Sequence, residues 1–335
     1  MRKSALALFA FVVGCFVSFS MGVGTAAADN GPHVKGQGLT PDTCAACHRA
    51  HTGKAPYNLK ENQEALCFTC HGSTGTGSNL DVKDGVGYSG TARSGGAAGA
   101  LRGGGFKYAL INTSEPKPVR TETGKLVEAT IPALGTSELK ETTSAHSVDE
   151  SSQIAWGNGP ISSTSEMGKS ISLTCGSCHD PHGNGNYRIL RPIPVSSGAA
   201  SPGVTIPDAT TKVYTTTNYW ASWDTNQMEF QYKVSEWCST CHTRLLAASG
   251  SGNANSGDAT YTYRHRTSYS KEEWEKAAPP KAKPNCIQCH VAHGTDATMG
   301  ENSSGVPFPN GVVGKQTSFL LRLDNRGVCQ TCHNK

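Results

Sequence analysis

Residues 175–182 carry the signature that decides the fold, Cys-Gly-Ser-Cys-His-Asp-Pro-His, in which a Cys-x-x-Cys-His motif is followed closely by a second histidine. Five further Cys-x-x-Cys-His motifs are spread along the 335-residue chain. Of the 13 cysteines, only Cys15 lies outside these motifs. The six motifs are Cys44-Cys47-His48, Cys67-Cys70-His71, Cys175-Cys178-His179, Cys238-Cys241-His242, Cys286-Cys289-His290 and Cys329-Cys332-His333.

The spacing of these motifs suits one covalent cofactor, haem c. Two thiols at this spacing add across the two vinyl groups of the porphyrin, and the histidine that follows lies beneath the iron as its proximal ligand. We therefore predict six covalently attached haems. A disulfide scaffold is one alternative, but it does not require a histidine after every second cysteine. A zinc ribbon of four thiolates is another, and it would leave the six histidines unused.

The chain has 12 histidines, and half of them lie outside the Cys-x-x-Cys-His motifs. Six irons that are all six-coordinate need six distal ligands, so the counts match for ligation by two histidines at every haem. The predicted distal ligands are His33, His51, His146, His182, His265 and His293. Met167, Met228 and Met299 are alternative ligands that this count does not require.

The histidines recur in a fixed order: a single histidine, then Cys-x-x-Cys-His-x-x-His, then a plain Cys-x-x-Cys-His. This order divides one hexahaem domain, residues 29–335, into three two-haem units at about 29–130, 131–255 and 256–335. We refer to them as the first, second and third units.

Each unit has one bridging histidine, which follows the histidine of its first motif by three positions: His51, His182 and His293. On a helix, such neighbours lie on adjacent faces, so the bridging histidine cannot reach the far side of the haem held by the first. We expect it to ligate a different haem. If every bridging histidine serves an adjacent unit in one direction, a ligand is left over at one end of the chain. A head-to-tail neighbour, or folding back within one chain, would use it.

The N-terminus has the order of a secretory signal peptide, with a positive start, an apolar run from Ala5 to Val17 and small residues before Asp29. We predict a signal peptide over residues 1–28 and an exported protein, extracellular or at the cell surface, or alternatively periplasmic. The apolar run is too short for a membrane anchor. A lipobox-like stretch leaves lipidation of Cys15 as an alternative. The net charge of +4, without a basic run, gives no reason to expect nucleic-acid binding.

The composition predicts little regular structure. The 38 glycines, with many serines and threonines, suit loops that wrap closely around porphyrins, which would form much of the core. We predict helices at residues 62–70 and 235–248, a loop at 72–105, and short strands at 106–111 and 213–219.

The order of motifs resembles the family of hexahaem outer-surface c-type cytochromes that build extracellular nanowires. The resemblance rests on the motif ending at His51, the Cys-His-Asp-Pro-His sequence ending at His182, Arg264-His265, and the C-terminal Cys329-Gln-Thr-Cys-His. It implies a chain that is mostly coil, with a few short helices and minimal strand, around a continuous stack of six haems. It also implies that His51 enters a neighbouring subunit and binds the haem of His290, whereas His33, His146 and His265 are distal ligands within their own subunit.

Three functions follow in order of preference. The first is an electron conduit that polymerises outside the cell, with identical subunits, upstream cytochromes and extracellular acceptors as partners. The second is a monomeric periplasmic or surface electron shuttle with His51 satisfied internally. The third is a multihaem oxyanion reductase, which needs an open position at an iron. Six histidines outside the motifs would give every iron a second axial ligand, so we predict that the protein is not an enzyme. Because ligation by two histidines lacks the axial methionine that raises the reduction potential, we also predict low potentials.

Overall fold

The structure is a computed structural model that describes eleven segments of the chain and one separate residue, His33. The segments are residues 43–75, 77–110, 119–120, 126–127, 139–159, 168–197, 203–209, 213–214, 228–243, 285–298 and 319–322. The predicted signal peptide, His265, the sixth motif from Cys329 to His333, Met167 and Met299 lie outside the described residues.

Short α-helices carry the cysteines of the five described motifs, except that Cys241 lies in the turn after the fourth helix. They are α1 (Thr43–Cys47), α2 (Gln63–His71), α3 (Cys175–Cys178), α4 (Met228–Cys238) and α5 (Cys286–Cys289). Side chains cap three of the helices: Asn62 accepts from the N–H of Ala65, and capping boxes begin at Thr174 and Asn285. At four motifs the histidine N–H donates to the carbonyl of the first cysteine at 2.8–3.0 Å, so the motif forms one helical turn.

The described strands are short. They are β1 (Leu80–Asp81), β2 (Val86–Tyr88), β3 (Ala97–Leu101), β4 (Tyr108–Ala109), β5 (Val119–Arg120), β6 (Leu126–Val127), β7 (Lys140–Glu141), β8 (Ser144–Ala145), β9 (Ser152–Trp156), β10 (Gly168–Ser172), β11 (Val213–Tyr214) and β12 (Gly294–Thr295). These strands pair antiparallel: a four-stranded sheet has the order β1-β2-β3-β11, and four further pairs are β9–β10, β4–β7, β5–β6 and β8–β12. An isolated bridge between Gly104 and Gly294 is parallel.

Two small apolar clusters pack against the motifs. The first is Val86, Ala100, Leu110, Tyr214 and Val291, and Cys289 packs on it. The second is Val204, Ile206, Ala209, Phe230 and Val234, and Cys238 packs on it. Each of these two motifs is therefore held against a cluster built from distant segments of the chain.

The expectation of short helices is confirmed, since the longest described helix has 11 residues. The helix predicted at residues 62–70 is α2. The helix predicted at residues 235–248 is instead α4, which begins at Met228 and ends at Cys238. It begins earlier because Phe230 and Val234 lie one turn apart and both enter the second cluster. Residues 244–248 lie outside the described residues.

The prediction of a loop over residues 72–105 is wrong, because this stretch forms β1, β2 and β3. These strands use glycine and alanine where a sequence pattern looks for β-branched residues. A side chain at Gly99 would meet the carbonyl of Tyr214 on the neighbouring strand β11, so close strand approach explains the glycine. Within the described residues, no helix has the length and hydropathy needed to cross a membrane.

Candidate haem-binding sites

Three motif histidines are held by the same backbone arrangement, which we call an anchor turn. The anchor turns are residues 57–60, 188–191 and 319–322. In each, the carbonyl of the first residue accepts a hydrogen bond from Nδ1 of the motif histidine. The bonds are His48 to Tyr57 at 2.9 Å, His179 to Arg188 at 2.8 Å and His290 to Phe319 at 2.9 Å.

Two more main-chain bonds close each anchor turn onto its motif. In the second unit, the N–H of Asp180 donates to the carbonyl of Ile189 at 2.8 Å, and the N–H of Arg191 donates to the carbonyl of Cys178 at 2.8 Å. The counterparts in the first and third units measure 2.7–2.9 Å. The histidine and the second cysteine of each motif are thus tied to one rigid turn.

The anchor turns contain strained backbone at matching positions. The first two residues of each turn have φ between 49° and 62°, and none is glycine. Ile189 is β-branched, for which a left-handed conformation is a genuine outlier. Such strain persists where surrounding interactions enforce it. Here it aims a carbonyl at the histidine ring. Sequence reasoning missed these turns, although the pairs Leu59-Lys60, Leu190-Arg191 and Leu321-Arg322 mark them.

Five further histidines also direct Nδ1 at a main-chain carbonyl. With the three in the anchor turns, this makes eight of the ten described histidines. The remaining five bonds are His33 to Pro181 at 3.1 Å, His71 to Leu80 at 3.2 Å, His146 to Ala292 at 2.6 Å, His242 to Trp156 at 2.6 Å and His293 to Gly104 at 3.3 Å. Since a carbonyl only accepts, Nδ1 carries the proton and Nε2 keeps its lone pair. This is the tautomer in which Nε2 can bind a metal.

The described histidines also come together in pairs, each of one motif histidine and one of the other histidines. The ring centroids lie 6.1 Å apart for His33 and His71, 6.3 Å for His48 and His182, 6.4 Å for His146 and His242, and 6.4 Å for His179 and His293. Two imidazoles on opposite sides of one metal ion, each nitrogen about 2 Å from it, have centroids about 6 Å apart. The four distances are those that two axial ligands of one iron require.

Two described histidines stand outside this pattern of pairs. His290 has its Nδ1 bound in an anchor turn, but no ring in the described part of the chain pairs with it. His51 is exposed, and no hydrogen bond to its ring is found among the described residues. In its counterpart His182, Nδ1 lies 3.6 Å from Asp180 Oδ1, and no described main-chain carbonyl accepts a hydrogen bond from the ring. The predicted ligands His265 and His333 lie outside the described residues.

Burial keeps several of these rings neutral. Protein surrounds His242 and His293 on most sides, although both keep some accessible surface. This partial burial disfavours the imidazolium and lowers the pKa of His242 to about 4 and of His293 to about 3. Burial likewise raises the pKa of the Cys178 thiol to about 12. Neutral imidazoles are the form that binds iron.

A glycine-rich loop cradles His293. The carbonyl of Gly103 accepts from the N–H of His293 at 2.6 Å, and the Phe106 ring stacks on the imidazole with centroids 4.5 Å apart. A Cβ at Gly103 would lie 3.0 Å from His293 Nδ1, so glycine allows this approach. The loop fixes the ring that faces His179.

The geometry and donor chemistry fit covalently bound haem c, with paired thiols on a helical turn and two neutral imidazoles facing one another. In the described part of the chain all ten cysteines are free thiols rather than disulfides. Residues 37–76 match the family model of the doubled CXXCH motif. That match confirms the resemblance to multihaem c-type cytochromes. No curated protein is a significant match to the chain.

Among solved structures, the chain is similar to the outer membrane cytochrome S filament from Geobacter sulfurreducens. The two are 15% identical, the match covers 87% of this chain and 98% of that chain, and the TM-score is 0.37.

Proposed function

We propose that this protein transfers electrons through six covalently bound haems, each ligated by two histidines, and that it does so as a head-to-tail polymer outside the cell. The observation that carries the proposal is the set of four histidine pairs at 6.1–6.4 Å. Every pair combines a motif histidine with one of the spare histidines, as a bis-histidine cytochrome requires. Bound haem supplies a one-electron carrier, and the chain sets its spacing and potential.

In this proposal, each motif holds one haem through its two cysteines and its histidine. The distal ligands are His182 for the haem of His48, His33 for that of His71, His293 for that of His179 and His146 for that of His242. The sixth haem, of His333, takes His265, the one spare histidine that the sequence leaves for it. The anchor turns and the glycine-rich loop orient the imidazoles, so the ligands need little rearrangement on a change of redox state.

Polymerisation is supported by the direction of the bridging histidines. His182 of the second unit pairs with His48 of the first, and His293 of the third pairs with His179 of the second. Each therefore reaches back by one unit. His51 belongs to the first unit, and no Cys-x-x-Cys-His motif precedes this unit in residues 1–335, while His290 has no paired ring in the described part of the chain. Extending the same rule places His51 on the haem of His290 in another subunit.

A monomeric electron shuttle remains the second candidate and uses the same ligands, except that the iron at His290 would be open or bound within the chain. A reductase would also need an open iron. The proposal therefore excludes enzymatic activity at any haem of the assembled polymer. It also places the protein, whose predicted signal peptide is residues 1–28, outside the cell or at the cell surface.

Two histidine variants test the proposal. His51→Ala should leave discrete particles with one high-spin haem, seen by electron microscopy and electron paramagnetic resonance. His182→Ala is the matched control, because it opens the iron at His48 inside a subunit and leaves His51 in place. It should also show one high-spin haem but still form filaments.

Filaments of His51→Ala that contain only low-spin haem would contradict the assignment of His51 to a neighbouring subunit, whereas wild-type protein that stays as discrete particles would contradict the polymer and favour a shuttle. A high-spin haem in the native wild-type polymer would instead favour an enzyme.

A further inference from the structure

His182 differs from the other paired histidines outside the motifs in the group that faces its Nδ1. Main-chain carbonyls face the Nδ1 atoms of His33, His146 and His293 at 2.6–3.3 Å. For His182 this group is a carboxylate, because its Nδ1 lies 3.6 Å from Oδ1 of Asp180. A carbonyl carries a dipole, whereas a carboxylate carries a full negative charge. The electrostatic environment of His182 is therefore distinct.

The same aspartate also holds the backbone of His182. Asp180 Oδ1 accepts a hydrogen bond from the N–H of His182 at 3.1 Å. The N–H of Asp180 donates to the carbonyl of Ile189 in the anchor turn at 2.8 Å, so the carboxylate projects from a fixed backbone. Its other oxygen, Oδ2, lies 3.9 Å from Nη1 of Arg191. Asp180 is thus held between an imidazole and a guanidinium.

The backbone contact of Asp180 is repeated in the other units, but its charge is not. The residue directly after the first motif histidine of each unit donates its N–H to the anchor turn at 2.7–2.9 Å. This residue is Arg49 in the first unit, Asp180 in the second and Val291 in the third. In the third unit the carbonyl of Gly104 faces the bridging His293 instead. The carboxylate therefore acts on one haem site in particular.

The ring planes single out the same pair of histidines. The planes of His48 and His182 are 10° apart, whereas the planes in the other three pairs are 51–74° apart. Each axial imidazole interacts mainly with one of two iron dπ orbitals. Parallel rings act on the same orbital and separate the two orbitals in energy, whereas crossed rings keep them close. A larger separation stabilises low-spin ferric iron, so parallel rings lower the reduction potential.

We propose that Asp180 is a positioning residue that holds the ring of His182 parallel to that of His48 and lowers the reduction potential of the haem they ligate. The inference rests on the proposed ligation of that haem by these two histidines, but not on polymerisation. Oxidation places a positive charge on the iron and its ligands, and the carboxylate stabilises that charge. The ring planes and the carboxylate therefore act in the same direction.

Solvent and a neighbouring cation weaken the effect of this carboxylate without reversing it. The side chains of Asp180 and His182 are 25% and 63% exposed, so water and salt screen part of the interaction. Arg191 offsets part of the charge from the other side. The carboxylate is nearer to the imidazole than to the guanidinium, at 3.6 Å against 3.9 Å. The net effect at His182 is that of a negative charge.

Asp180→Asn tests the charge, because the amide oxygen can still accept from the N–H of His182. In a spectroelectrochemical titration of the native haem-loaded protein, it should raise one midpoint potential and leave the haem content unchanged. Asp180→Glu keeps the charge and should shift that potential less. The longer side chain of glutamate makes this a test of charge rather than of exact placement.

Asp149→Asn is the matched control. Asp149 lies three positions after the ligand His146, and its Oδ1 accepts from Ser147 Oγ at 2.5 Å and from the N–H of Ser151 at 3.0 Å. In the contacts described for it, this carboxylate faces hydroxyl and N–H groups rather than an imidazole. The same loss of charge should therefore leave every midpoint potential unchanged.

A second comparison identifies the haem that responds. His182→Ala opens the iron at His48, so that haem becomes high-spin and can be followed by electron paramagnetic resonance during reduction. In this background, Asp180→Asn should shift the potential of the high-spin haem less than it shifts the responding haem of the wild type. Asp180→Ala, which also removes the bond to the backbone, should replace one rhombic low-spin signal with a signal of larger maximum g value, because the rings are no longer held parallel.

Unchanged midpoint potentials in Asp180→Asn, at full haem content and unchanged spin state, would overturn the role of Asp180 and leave the proposed electron transfer standing. A shift of equal size in the His182→Ala background would also overturn it, because the charge would then act without the ring. If His182→Ala instead creates no high-spin haem, the proposed ligation of that haem is wrong, and with it both the proposed function and this inference.

Discussion

A carbonyl that faces Nδ1 fixes the tautomer of seven of the eight paired histidines, and burial keeps the rings of His242 and His293 neutral. The free imidazole pKa of 6.5 falls to about 4 for His242 and about 3 for His293. An unfolded chain therefore binds more protons than the folded one between these values, so the stability contributed by neutral rings is full above pH 6.5 and declines as the pH falls toward 4. Iron ligation strengthens this trend.

We predict that acidification lowers the thermal unfolding midpoint progressively from about pH 6.5 toward pH 4, because the unfolded chain takes up protons that the buried rings of His242 and His293 do not. Thermal melts over this range are the measurement. An unfolding midpoint that does not change between pH 6.5 and pH 4 would contradict the burial of these two rings.

Arg191 should influence the potential of the haem at His179. Its Nε donates to the carbonyl of Gly176, between the two cysteines, at 2.7 Å, and Arg322 Nη1 makes the equivalent bond to Ile287 at 3.2 Å. A positive charge at this place disfavours the ferric state. Arg191→Gln should therefore lower one midpoint potential, and Arg191→Lys should restore most of it.

Spectroelectrochemical titration with haem counting measures this effect. Lys60→Gln is the control, because Lys60 holds the same place in its anchor turn, and within the described residues its side chain makes no hydrogen bond to its motif and acts on Cys47 only through its charge. The substitution should shift the potential of its haem less. Equal potentials in wild type and Arg191→Gln, at full haem content, would contradict the assigned role.

At this scale the sequence predicts which residue types ligate the haems but not what orients them. The motif histidine and the anchor turn are separated by 9 residues in the first and second units and by 29 in the third. This difference hides the repeat from a search for fixed spacing. The left-handed backbone was equally hidden, because positions such as Ile189 do not have the glycine that predicts it.

At the scale of elements, the loop of residues 103–106 determines how His293 is held. Gly104 has φ +72°, and a Cβ there would meet the carbonyl of Gly294. Gly104→Ala should therefore cost about 3 kcal/mol and raise the high-spin fraction, since the clash adds to left-handed strain. Gly96→Ala is the matched control, because Gly96 has φ +75° with nothing within 4 Å of the added Cβ. It should cost only about 1–2 kcal/mol.

Chemical denaturation and measurement of the haem spin state compare Gly104→Ala with Gly96→Ala. Similar stabilities for both variants, or an unchanged spin state in Gly104→Ala, would show that the loop does not position the ligand. The elements themselves were predictable where local signals agree, as in α2, which has a good cap in Asn62. In β1 to β3, by contrast, five of the ten residues are glycine or alanine, so these strands are recognised only through their partners.

At the scale of the whole molecule, units that follow one another in the sequence also lie next to one another in space, because a bridging histidine of one unit pairs with a motif histidine of the unit before it. The order of the histidines in the sequence predicts that one bridging histidine is left over at one end of the chain. It does not predict whether a bridging histidine reaches the preceding unit or the following one. The pairs His182–His48 and His293–His179 both run backward along the chain. Long-range packing decides this, so no local pattern encodes it.

A cellular consequence belongs to this scale. Loss of the protein should slow the reduction of extracellular acceptors, such as an electrode or an insoluble oxide, but not of soluble acceptors that enter the cell envelope. Respiration rates on matched acceptors measure the difference. An equal loss on both would point to a periplasmic shuttle.

The most direct measurement is electron cryomicroscopy of the native secreted protein, purified without shearing. We predict filaments in which each subunit holds six haems in a continuous stack, with His51 of one subunit bound to the haem of His290 in the next. Discrete particles, or an iron at His290 that is open or ligated from within its own chain, would contradict the proposed conduit.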